Sequence, residues 1–418
     1  MRTYNLYVKK EGEKFLRVLM LGWEFPPFFA GGAGIVSSEL SKALNNRGVN
    51  ITFVMPTGPE SEINKLNLNN SMLKIKIPKD IKYFKVKKIK SLLGAYDTPL
   101  SYEDRFKRLK SREKKLYGSN LKEEVERFSY LVEQYKDEDF DVIHAHDWVT
   151  FLAGARLKEI TGKPLAIHVH ITEFDKSGGT YADPYTYKVE KLGMEKADKI
   201  ITVSHKIKER CIQSYGAESK KIVVVHNAAT KMKDLDYKKS NDEKIVLFAG
   251  RVTMQKGPEY FVDAAKKVLE KESNVKFVIA GTGDMLDMLK NKVRHLGIED
   301  KFNFTGFYTR DQAEEIFGSA DVFVMPSISE PFGIVPFEAQ IKKTPTIISK
   351  QSGISEMLNH VLKVDFWDIN NMASKILALL HYKELHQDLS KSGYLEAKSC
   401  TWDKPADKCL KIYKELIA

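Results

Sequence analysis

The stretch RVLMLGWEFPPFFAGGAGIVSSELSKALNNRGVNITFVMP, residues 17–56, decides the fold class of this chain. It begins with the apolar run RVLML and passes through a glycine-rich turn. A segment follows in which Val36, Leu40, Ala43 and Leu44 recur at helical spacing before Gly48, and the apolar run ITFVMP comes next. Strand, helix and strand in so short a span form a βαβ unit, which predicts a parallel sheet with right-handed crossovers.

The same alternation continues along the rest of the chain. Further apolar runs are DVIHAH, PLAIHVH, KIITVS and KIVVVHN, and, after the polar segment ATKMKDLDYKKSNDE, KIVLFAG, VKFVIAG, KFNFTGF, ADVFVMPS and TPTIISK. A chain of 418 residues is too long for one core. We therefore predict an α/β protein with two doubly wound domains, residues 1–228 and 241–395, on either side of a cleft.

The last segment, residues 396–418, is predicted to be an amphipathic helix that crosses back to the first domain. Its apolar residues at helical spacing are Trp402, Ala406, Leu410, Tyr413 and Ile417. A helix with one apolar face must pack that face against another part of the protein.

Composition excludes several classes of protein. The 43% apolar content is that of a folded globular protein. Because the sequence has no apolar run of membrane-spanning length and its N-terminus lacks a signal-peptide core, we expect a cytoplasmic protein. Cys211, Cys400 and Cys409 are too few and too scattered for a disulfide framework or a zinc site, so we expect buried free thiols.

The net charge of +11 is concentrated in residues 74–90, which contain eight lysines and the single acid Asp80. One interpretation is an exposed pair of strands with a lysine-rich solvent face. The other is a patch for anionic lipid, a polyanion or a phosphorylated substrate. Residues 101–127 are also highly charged, and we expect them to form a solvated helix or a mobile insertion.

Two groups of residues point to a site that binds phosphate. In open α/β sheets, ligands bind beyond the carboxyl ends of the strands. Gly31, Gly32 and Gly34 follow the first strand and permit a close approach of an anion to a helix start, although a tight turn without a ligand fits equally well. Arg251 and Lys256 follow the strand KIVLFAG and suit a diphosphate, although exposed basic residues are common. No P-loop or G-x-G-x-x-G fingerprint is present.

The stretch SEPFGIVPFE, residues 329–338, contains two glutamates separated by seven residues. The strand ADVFVMPS places Glu330 at the same edge of the sheet as Arg251. The backbone N–H groups of Gly333, Ile334 and Val335 are predicted to point into the cleft.

Polar residues of the first domain follow the strands in DVIHAHDW and AIHVHITEFDKSGG. Strand alternation places His168 and His170 on one face, with His170 nearer the end of the strand. Asp147 is a candidate site residue, with a helix N-cap as the alternative. No carboxylate or cysteine completes a metal-ligand spacing with the histidines of these motifs, so we predict no metal site.

The motif GRVTMQKG, residues 250–257, together with the E-x7-E pattern of EPFGIVPFE, resembles the retaining GT-B glycosyltransferases. LGWEFPP, HAHDW, HITEFDKSGG, VVVHNAAT and TWDKPADK appear in the order that such enzymes use, so the resemblance covers nearly the whole chain. LGWEFPP and HAHDW look most like the glycogen and starch synthases. The resemblance implies a donor nucleotide-sugar held by the second domain and an acceptor held by the first.

The resemblance also implies roles for individual residues. Arg251 and Lys256 match the pair that steadies the leaving diphosphate, and Glu330 matches the acid beside the transferred sugar. Asp147 and His170 match residues that line the reaction centre. The residues that match nucleotide-sugar contacts, including the ribose-binding Glu338 and the base-stacking Tyr308, are Gly31, Gly32, Gly34, Asn227, Tyr308, Phe332, Gly333, Ile334, Val335 and Glu338.

Two features depart from the pattern of the family. Asn227 is followed by Ala-Ala-Thr in place of the usual Gly and Asp of this turn. The loop FAGGAG also lacks the lysine of the bacterial K-T-G-G-L form.

The resemblance predicts transfer of glucose, with retention, from ADP-glucose or UDP-glucose to the non-reducing end of an α-1,4-glucan. We expect same-face attack and no metal or other cofactor. Alternatives are a lipid, small sugar or sugar-phosphate acceptor, a nucleotide-sugar epimerase, and a polyanion-binding protein. We expect no nucleic-acid partner and no peripheral membrane contact, and the oligomeric state stays open.

Overall fold

Two parallel β-sheets organise the chain in a computed structural model, which describes residues 15–25, 32–57, 84–93, 99–230, 232 and 243–418. The first sheet has the strand order β3-β2-β1-β4-β5-β6-β7, and the second has the order β10-β9-β8-β11-β12-β13. All the strand pairs in both sheets are parallel. The predicted α/β fold with two Rossmann-like domains is confirmed.

The first domain contains seven strands and the helices that connect them. Its strands are β1 (Arg17–Leu21), β2 (Asn50–Thr57), β3 (Phe84–Lys90), β4 (Val142–His146), β5 (Leu165–Val169), β6 (Lys199–Thr202) and β7 (Ile222–Val224). Its helices are α1 (Gly32–Asn45), α2 (Pro99–Arg108), α3 (Ser111–Lys114), α4 (Leu121–Leu131), α5 (Trp148–Thr161), α6 (Glu173–Lys176), α7 (Pro184–Lys196) and α8 (His205–Tyr215).

The second domain repeats this pattern with a sheet of six strands. Its strands are β8 (Lys244–Ala249), β9 (Val275–Ala280), β10 (Phe302–Gly306), β11 (Val322–Met325), β12 (Thr346–Ser349) and β13 (Leu362–Val364). Its helices are α9 (Pro258–Leu269), α10 (Leu286–His295), α11 (Arg310–Ser319), α12 (Val335–Ile341), α13 (Ile369–His381) and α14 (Lys383–Ser399), and α15 (Asp403–Ile417) ends the chain.

Side-chain alternation along β1 explains why both faces of the first sheet are buried. Leu19 and Leu21 belong to one apolar cluster, whereas Val18 and Met20 belong to another on the opposite face. Successive residues of a strand point to opposite faces, so a strand covered by helices on both sides reads as a continuous apolar run.

Helix α15 packs against the first domain rather than the second. Trp402, Cys409 and Tyr413 are buried in the same cluster as Val18 and Val36. The buried face differs slightly from the predicted one, because Cys409 and Ile412 are buried while Ile417 is 50% exposed. The helix is thus rotated about its axis relative to the predicted orientation, and its last turn is exposed.

The charged segment 101–127 was wrongly predicted to be solvated or mobile. Tyr102 is fully buried on α2, and Val125 is fully buried on α4. The buried carboxylate of Glu124 accepts a hydrogen bond from the Gly118 backbone N–H at 2.6 Å and another from the Ser91 hydroxyl at 2.6 Å. These contacts fix the segment to the end of β3.

The lysine-rich segment is described only from Phe84 onward, and residues 74–83 lie outside the described residues. Its described part is β3, which pairs with β2 and forms the edge of the first sheet. Lysines on an edge strand oppose pairing with another chain. Within the described part of the chain, no helix is long and apolar enough to span a bilayer.

Candidate active site at the joined sheet edges

The loops that leave the carboxyl ends of the two sheets contact each other. A Cβ added at Gly32, at the start of α1, would lie 3.6 Å from Ile334 Cδ1 of the second domain. The Ser204 hydroxyl, after β6, donates to the Pro331 carbonyl at 2.7 Å. The structure therefore brings the predicted glycine loop and the SEPFG loop to one place. Gly31 lies outside the described residues.

The start of α1 already holds a carboxylate. Glu24 Oε2 accepts a hydrogen bond from the Gly34 backbone N–H at 2.7 Å, and Glu24 is 1% exposed. Carboxylates are stabilised at helix N-termini by free N–H groups and by the helix dipole. Glu24 lies within the quoted motif LGWEFPP but was missed as a candidate site residue.

The turn after β8 carries Arg251 and Lys256. Gly257 has φ of +65°, and a Cβ there would lie 2.1 Å from the Pro326 carbonyl oxygen. Only glycine permits this approach, which presses the turn against the end of β11. Arg251 Nη2 donates a long hydrogen bond to Gln255 Oε1 at 3.5 Å. Both cations thus lie on one turn at the joined edge.

Glu330 and Lys256 form an ion pair between the loops that follow β11 and β8. The Lys256 side chain is 19% exposed and the Glu330 side chain 7% exposed, so water screens the pair only partly. Gly333 has φ of +92°, and a Cβ there would lie 2.9 Å from Glu330 Cγ. The PFG turn therefore packs directly on this glutamate.

Glu338 lies close enough to Tyr308 to influence the ionisation of the Tyr308 hydroxyl. Burial raises the pKa of the Glu338 carboxyl to about 7, against the opposing charge of Arg310. Burial also raises the pKa of the Tyr308 hydroxyl, and the charge of Glu338 adds to that shift. The structure thus places a carboxyl beside an aromatic ring, one on α12 and the other after β10.

The remaining predicted contacts include three mostly buried residues. Asn227 is 7% exposed, Phe332 is 2% exposed and Ile334 is 9% exposed. Among the described residues, the backbone N–H groups of Gly333, Ile334 and Val335 donate none of the hydrogen bonds found.

Asp147 occupies the N-cap position of α5, but its side chain does not cap the helix. Its Oδ1 atom instead accepts the backbone N–H of His170 at 2.8 Å and that of Ile171 at 3.4 Å. Its φ is +58°, an uncommon conformation for a residue other than glycine. Burial raises the pKa of its carboxyl to about 7. Asp147 therefore ties the ends of β4 and β5 together.

Four histidines stack beside Asp147. The ring centroids of His168 and His170 are 4.1 Å apart, and those of His144 and His146 are 4.3 Å apart. His146 Nδ1 and His170 Nε2 share a hydrogen bond of 2.8 Å. Burial lowers the pKa of all four rings, so they are neutral at physiological pH. Each unpaired buried polar atom in such a group costs about 1–3 kcal/mol.

A polar group of the first domain holds the SEPFG loop, and sequence reasoning did not single it out. The Ser329 hydroxyl donates to Asp175 Oδ1 at 2.9 Å, and Lys206 Nζ donates to Ser329 Oγ at 3.0 Å. Lys206 also donates to the Gln351 carbonyl. The quoted motif HITEFDKSGG contains Asp175, but the contact with Ser329 joins residues 154 positions apart. No local pattern reveals such a pair.

Two family models match consecutive parts of the chain. The Glycosyltransferase Family 4 model matches residues 30–229, and the model of glycosyl transferases group 1 matches residues 229–396. Together they cover both domains.

Curated relatives agree with these matches. An uncharacterized glycosyltransferase of Methanocaldococcus jannaschii is 30% identical over 96% of this chain and 98% of its own length. The mannosylfructose-phosphate synthase of Agrobacterium fabrum is 25% identical over 66% of this chain and 68% of its own length. A glycogen synthase of Mycobacterium tuberculosis is 24% identical over 82% of this chain and 80% of its own length.

Solved structures show the same fold. Sucrose-phosphate synthase from Thermosynechococcus elongatus has a TM-score of 0.73 at 20% identity, over 96% of this chain and 99% of that chain. Anabaena HepE in complex with UDP-glucose has a TM-score of 0.68 at 15% identity, over 96% of this chain and 100% of that chain. With two parallel-sheet domains, two family models that together cover both of them and a relative matched along nearly its whole length, this chain belongs to the GT-B glycosyltransferases.

Proposed function

We propose that the protein is a retaining hexosyltransferase that transfers glucose from UDP-glucose or ADP-glucose to the non-reducing end of an α-1,4-glucan. The observation that carries the proposal is the ion pair of Lys256 with Glu330, on the same turn as Arg251 and at the edge shared by both domains. In the proposed reaction, these cations would meet the leaving diphosphate and the carboxylate would lie beside the sugar.

The charges on this turn suit the departure of a diphosphate. Cleavage of the sugar–phosphate bond builds negative charge on the diphosphate and positive charge on the anomeric carbon. Arg251 and Lys256 would stabilise the first, and Glu330 would lie beside the second. Because the protein supplies these charges itself, the proposed reaction needs no divalent ion at the phosphates.

The nucleotide end of the donor is assigned to the second domain. The Glu338 carboxyl would accept hydrogen bonds from the ribose hydroxyls, and Tyr308 would stack on the base. The charge of Glu338 raises the pKa of the Tyr308 hydroxyl, which supports the assignment of both groups to one end of the donor. A stacking contact accepts adenine and uracil alike, so both ADP-glucose and UDP-glucose are candidate donors.

The carboxylates around the proposed reaction centre each have a partner in the protein. Asp147 Oδ1 accepts two backbone N–H groups, Glu24 accepts the N–H of Gly34, and Glu330 pairs with Lys256. Asp147 Oδ2 has no hydrogen-bond partner, so Asp147 is the carboxylate on which a trapped glycosyl adduct would be sought. The proposed reaction is same-face attack, in which the leaving phosphate takes the acceptor's proton.

A small sugar or sugar-phosphate acceptor is the second candidate. The glycogen synthase relative is 24% identical to this chain, and the mannosylfructose-phosphate synthase relative is 25% identical. Sequence identity therefore does not favour the glucan over a phosphorylated sugar. A lipid acceptor would draw on the lysines of β3 and predicts binding of the protein to anionic vesicles.

The experiment measures release of nucleoside diphosphate from UDP-glucose and ADP-glucose with glycogen, maltooligosaccharides or hexose phosphates as acceptors. We expect turnover with glycogen, an α-linked product by NMR, and equal rates with and without added Mg²⁺. Arg251→Ala should lower turnover by about 10²–10³-fold, whereas Lys350→Ala, which removes an exposed lysine paired with Asp365, should leave it unchanged. A β-linked product or a trapped glycosyl adduct on a side chain would overturn the proposed mechanism, and no turnover with any glucan would overturn the proposed acceptor.

A further inference from the structure

The histidine stack at the ends of β4 and β5 is a cluster that the proposed transfer reaction does not explain. His144, His146 and His168 are each at most 1% exposed. His146 and His168 lie opposite each other in the register of the two strands, and the rings of His144 and His168 are 5.4 Å apart. Three imidazoles thus share one buried space on the face of the sheet that α15 covers.

The hydrogen bonds of these rings leave one side of each ring available. His144 Nδ1 bonds to the Tyr413 hydroxyl at 2.7 Å, and His146 Nδ1 bonds to His170 Nε2 at 2.8 Å. The Nε2 atoms of His144 and His146 have no hydrogen-bond partner, and neither ring nitrogen of His168 has one. His144 and His146 show the pattern of metal-binding histidines, in which the second nitrogen bonds to an outer partner that fixes the ring and leaves the first as a lone pair, whereas His168 has no outer partner.

We propose that His144, His146 and His168 bind a borderline divalent metal ion, with Zn²⁺ as the first candidate. Each residue offers a ring nitrogen, and the three nitrogens lie within 4.8 Å of one another. A tetrahedral ion with Zn–N bonds of about 2.0–2.1 Å holds its ligand nitrogens about 3.4 Å apart, so small ring rotations close the site. Solvent takes the fourth position.

The donor set selects the class of metal. Neutral imidazole suits Zn²⁺, Co²⁺, Ni²⁺ and copper, whereas Mg²⁺ and Ca²⁺ prefer oxygen ligands. The cluster offers three nitrogens and no carboxylate. The site is therefore distinct from any Mg²⁺ bound to donor phosphates.

A metal here would act on the structure around the reaction centre. The ion would hold the ring of His146, whose Nδ1 meets His170, and so fix the orientation of His170. His170 follows β5 and is partly exposed, whereas the other three histidines are buried. The expected role is to stabilise and position, and no step of the transfer passes through the ion.

A second group provides a matched control. His205, His226 and Glu356 also place three ligand atoms within 4.8 Å of one another, but nearer the surface. Glu356 is already engaged, because it accepts the backbone N–H groups of His205 and Lys206 at 2.8 Å each and pairs with His226. Loss of His226 should therefore leave the buried site intact.

The experiment measures the metal content of the purified full chain by plasma mass spectrometry. It then titrates Zn²⁺ and Co²⁺ into chelator-treated protein, with the thermal midpoint and the Co²⁺ absorption bands as readouts. We expect one equivalent bound, a higher midpoint with Zn²⁺ and tetrahedral Co²⁺ bands. His168→Asn should weaken binding by more than about 100-fold, Tyr413→Phe by about 10-fold, and His226→Asn not at all.

Circular dichroism of the metal-free variants shows whether they fold. Tyr413→Phe keeps the test decisive if His168→Asn does not fold, because it leaves all three ligands in place. If the wild-type protein did not bind one metal ion per chain, water alone would supply the hydrogen-bond partners of the histidine nitrogens. That result would overturn the proposal. Binding that survives in His168→Asn but is lost in His226→Asn would assign the metal to the surface group and would also overturn it.

Discussion

The hydroxyl of Ser329 in the second domain donates a hydrogen bond to the carboxylate of Asp175 in the first domain, at 2.9 Å. Ser329 directly precedes Glu330, the proposed sugar-side acid. The contact therefore links the position of one proposed site residue to the opposite domain. Both side chains are buried, at 3% exposed for Ser329 and fully buried for Asp175, so the bond is shielded from water.

A double-mutant cycle with Ser329→Ala and Asp175→Ala should give a coupling energy of about 1.5–3 kcal/mol, the range for a hydrogen bond to a charged group. Asp175→Ala also removes the capping box that Asp175 forms with Thr172. This loss occurs in both the single and the double variant that lack Asp175, so it cancels in the coupling energy. Urea unfolding followed by tryptophan fluorescence measures each variant. Ser374→Ala, on an exposed helical face, should change stability by at most about 0.5 kcal/mol. Additive effects of the two substitutions would contradict the assigned contact.

Gly333→Ala should reduce turnover because the new methyl group would lie 2.9 Å from Glu330 Cγ. The φ of +92° adds backbone strain of about 1–3 kcal/mol. The matched control is Gly162→Ala, with φ of +69° and nothing within 4 Å of the added carbon. Gly162→Ala should lower the stability of the protein and leave its turnover unchanged. Thermal melting and nucleoside diphosphate release separate the two effects, and normal turnover by Gly333→Ala would show that Glu330 does not need this turn.

The strands, and the position of Arg251, Lys256 and Glu330 at one edge of a sheet, could be predicted because both depend on local pattern. Apolar runs such as RVLML mark strands that are buried on both faces, and parallel strands place their following loops at one edge. Arg251, Lys256 and Glu330 were predicted at that edge for this reason, and the structure brings them together there.

Other features depend on contacts that no local pattern encodes. In α2 and directly after it, Tyr102, Phe106 and Leu109 recur at helical spacing, but the surrounding residues are charged, and so the segment was predicted to be solvated. Asp147 stands where a capping residue is expected, yet its carboxylate binds the backbone of the neighbouring strand. These outcomes follow from tertiary packing, which overrides local preference.

Substitution of the cations should separate catalysis from stability. Arg251→Ala and Lys256→Ala should each lower kcat by about 10²–10³-fold, by analogy with removing one donor to a developing negative charge. Lys256→Ala also leaves Glu330 without its ion pair in a mostly buried position, which lowers the melting temperature. The double variant Lys256→Ala/Glu330→Gln should recover the melting temperature but not kcat. If the double variant recovered activity, Lys256 would act only through its ion pair with Glu330.

The carboxyl of Glu338 should make stability depend on pH near neutrality. Its pKa of about 7 in the folded protein exceeds the value of about 4.3 in an unfolded chain, so folding favours the protonated form. The resulting stabilisation is complete below pH about 4 and is lost as pH rises through about 7. Glu338→Gln removes the titration, so the variant should gain stability relative to wild type between pH 5 and 8, on the order of 1–3 kcal/mol. Urea unfolding across this range measures the difference in unfolding free energy between variant and wild type. Glu384→Gln on α14 serves as the control. A difference that does not change with pH would show that the Glu338 carboxyl ionises as freely as it does in water.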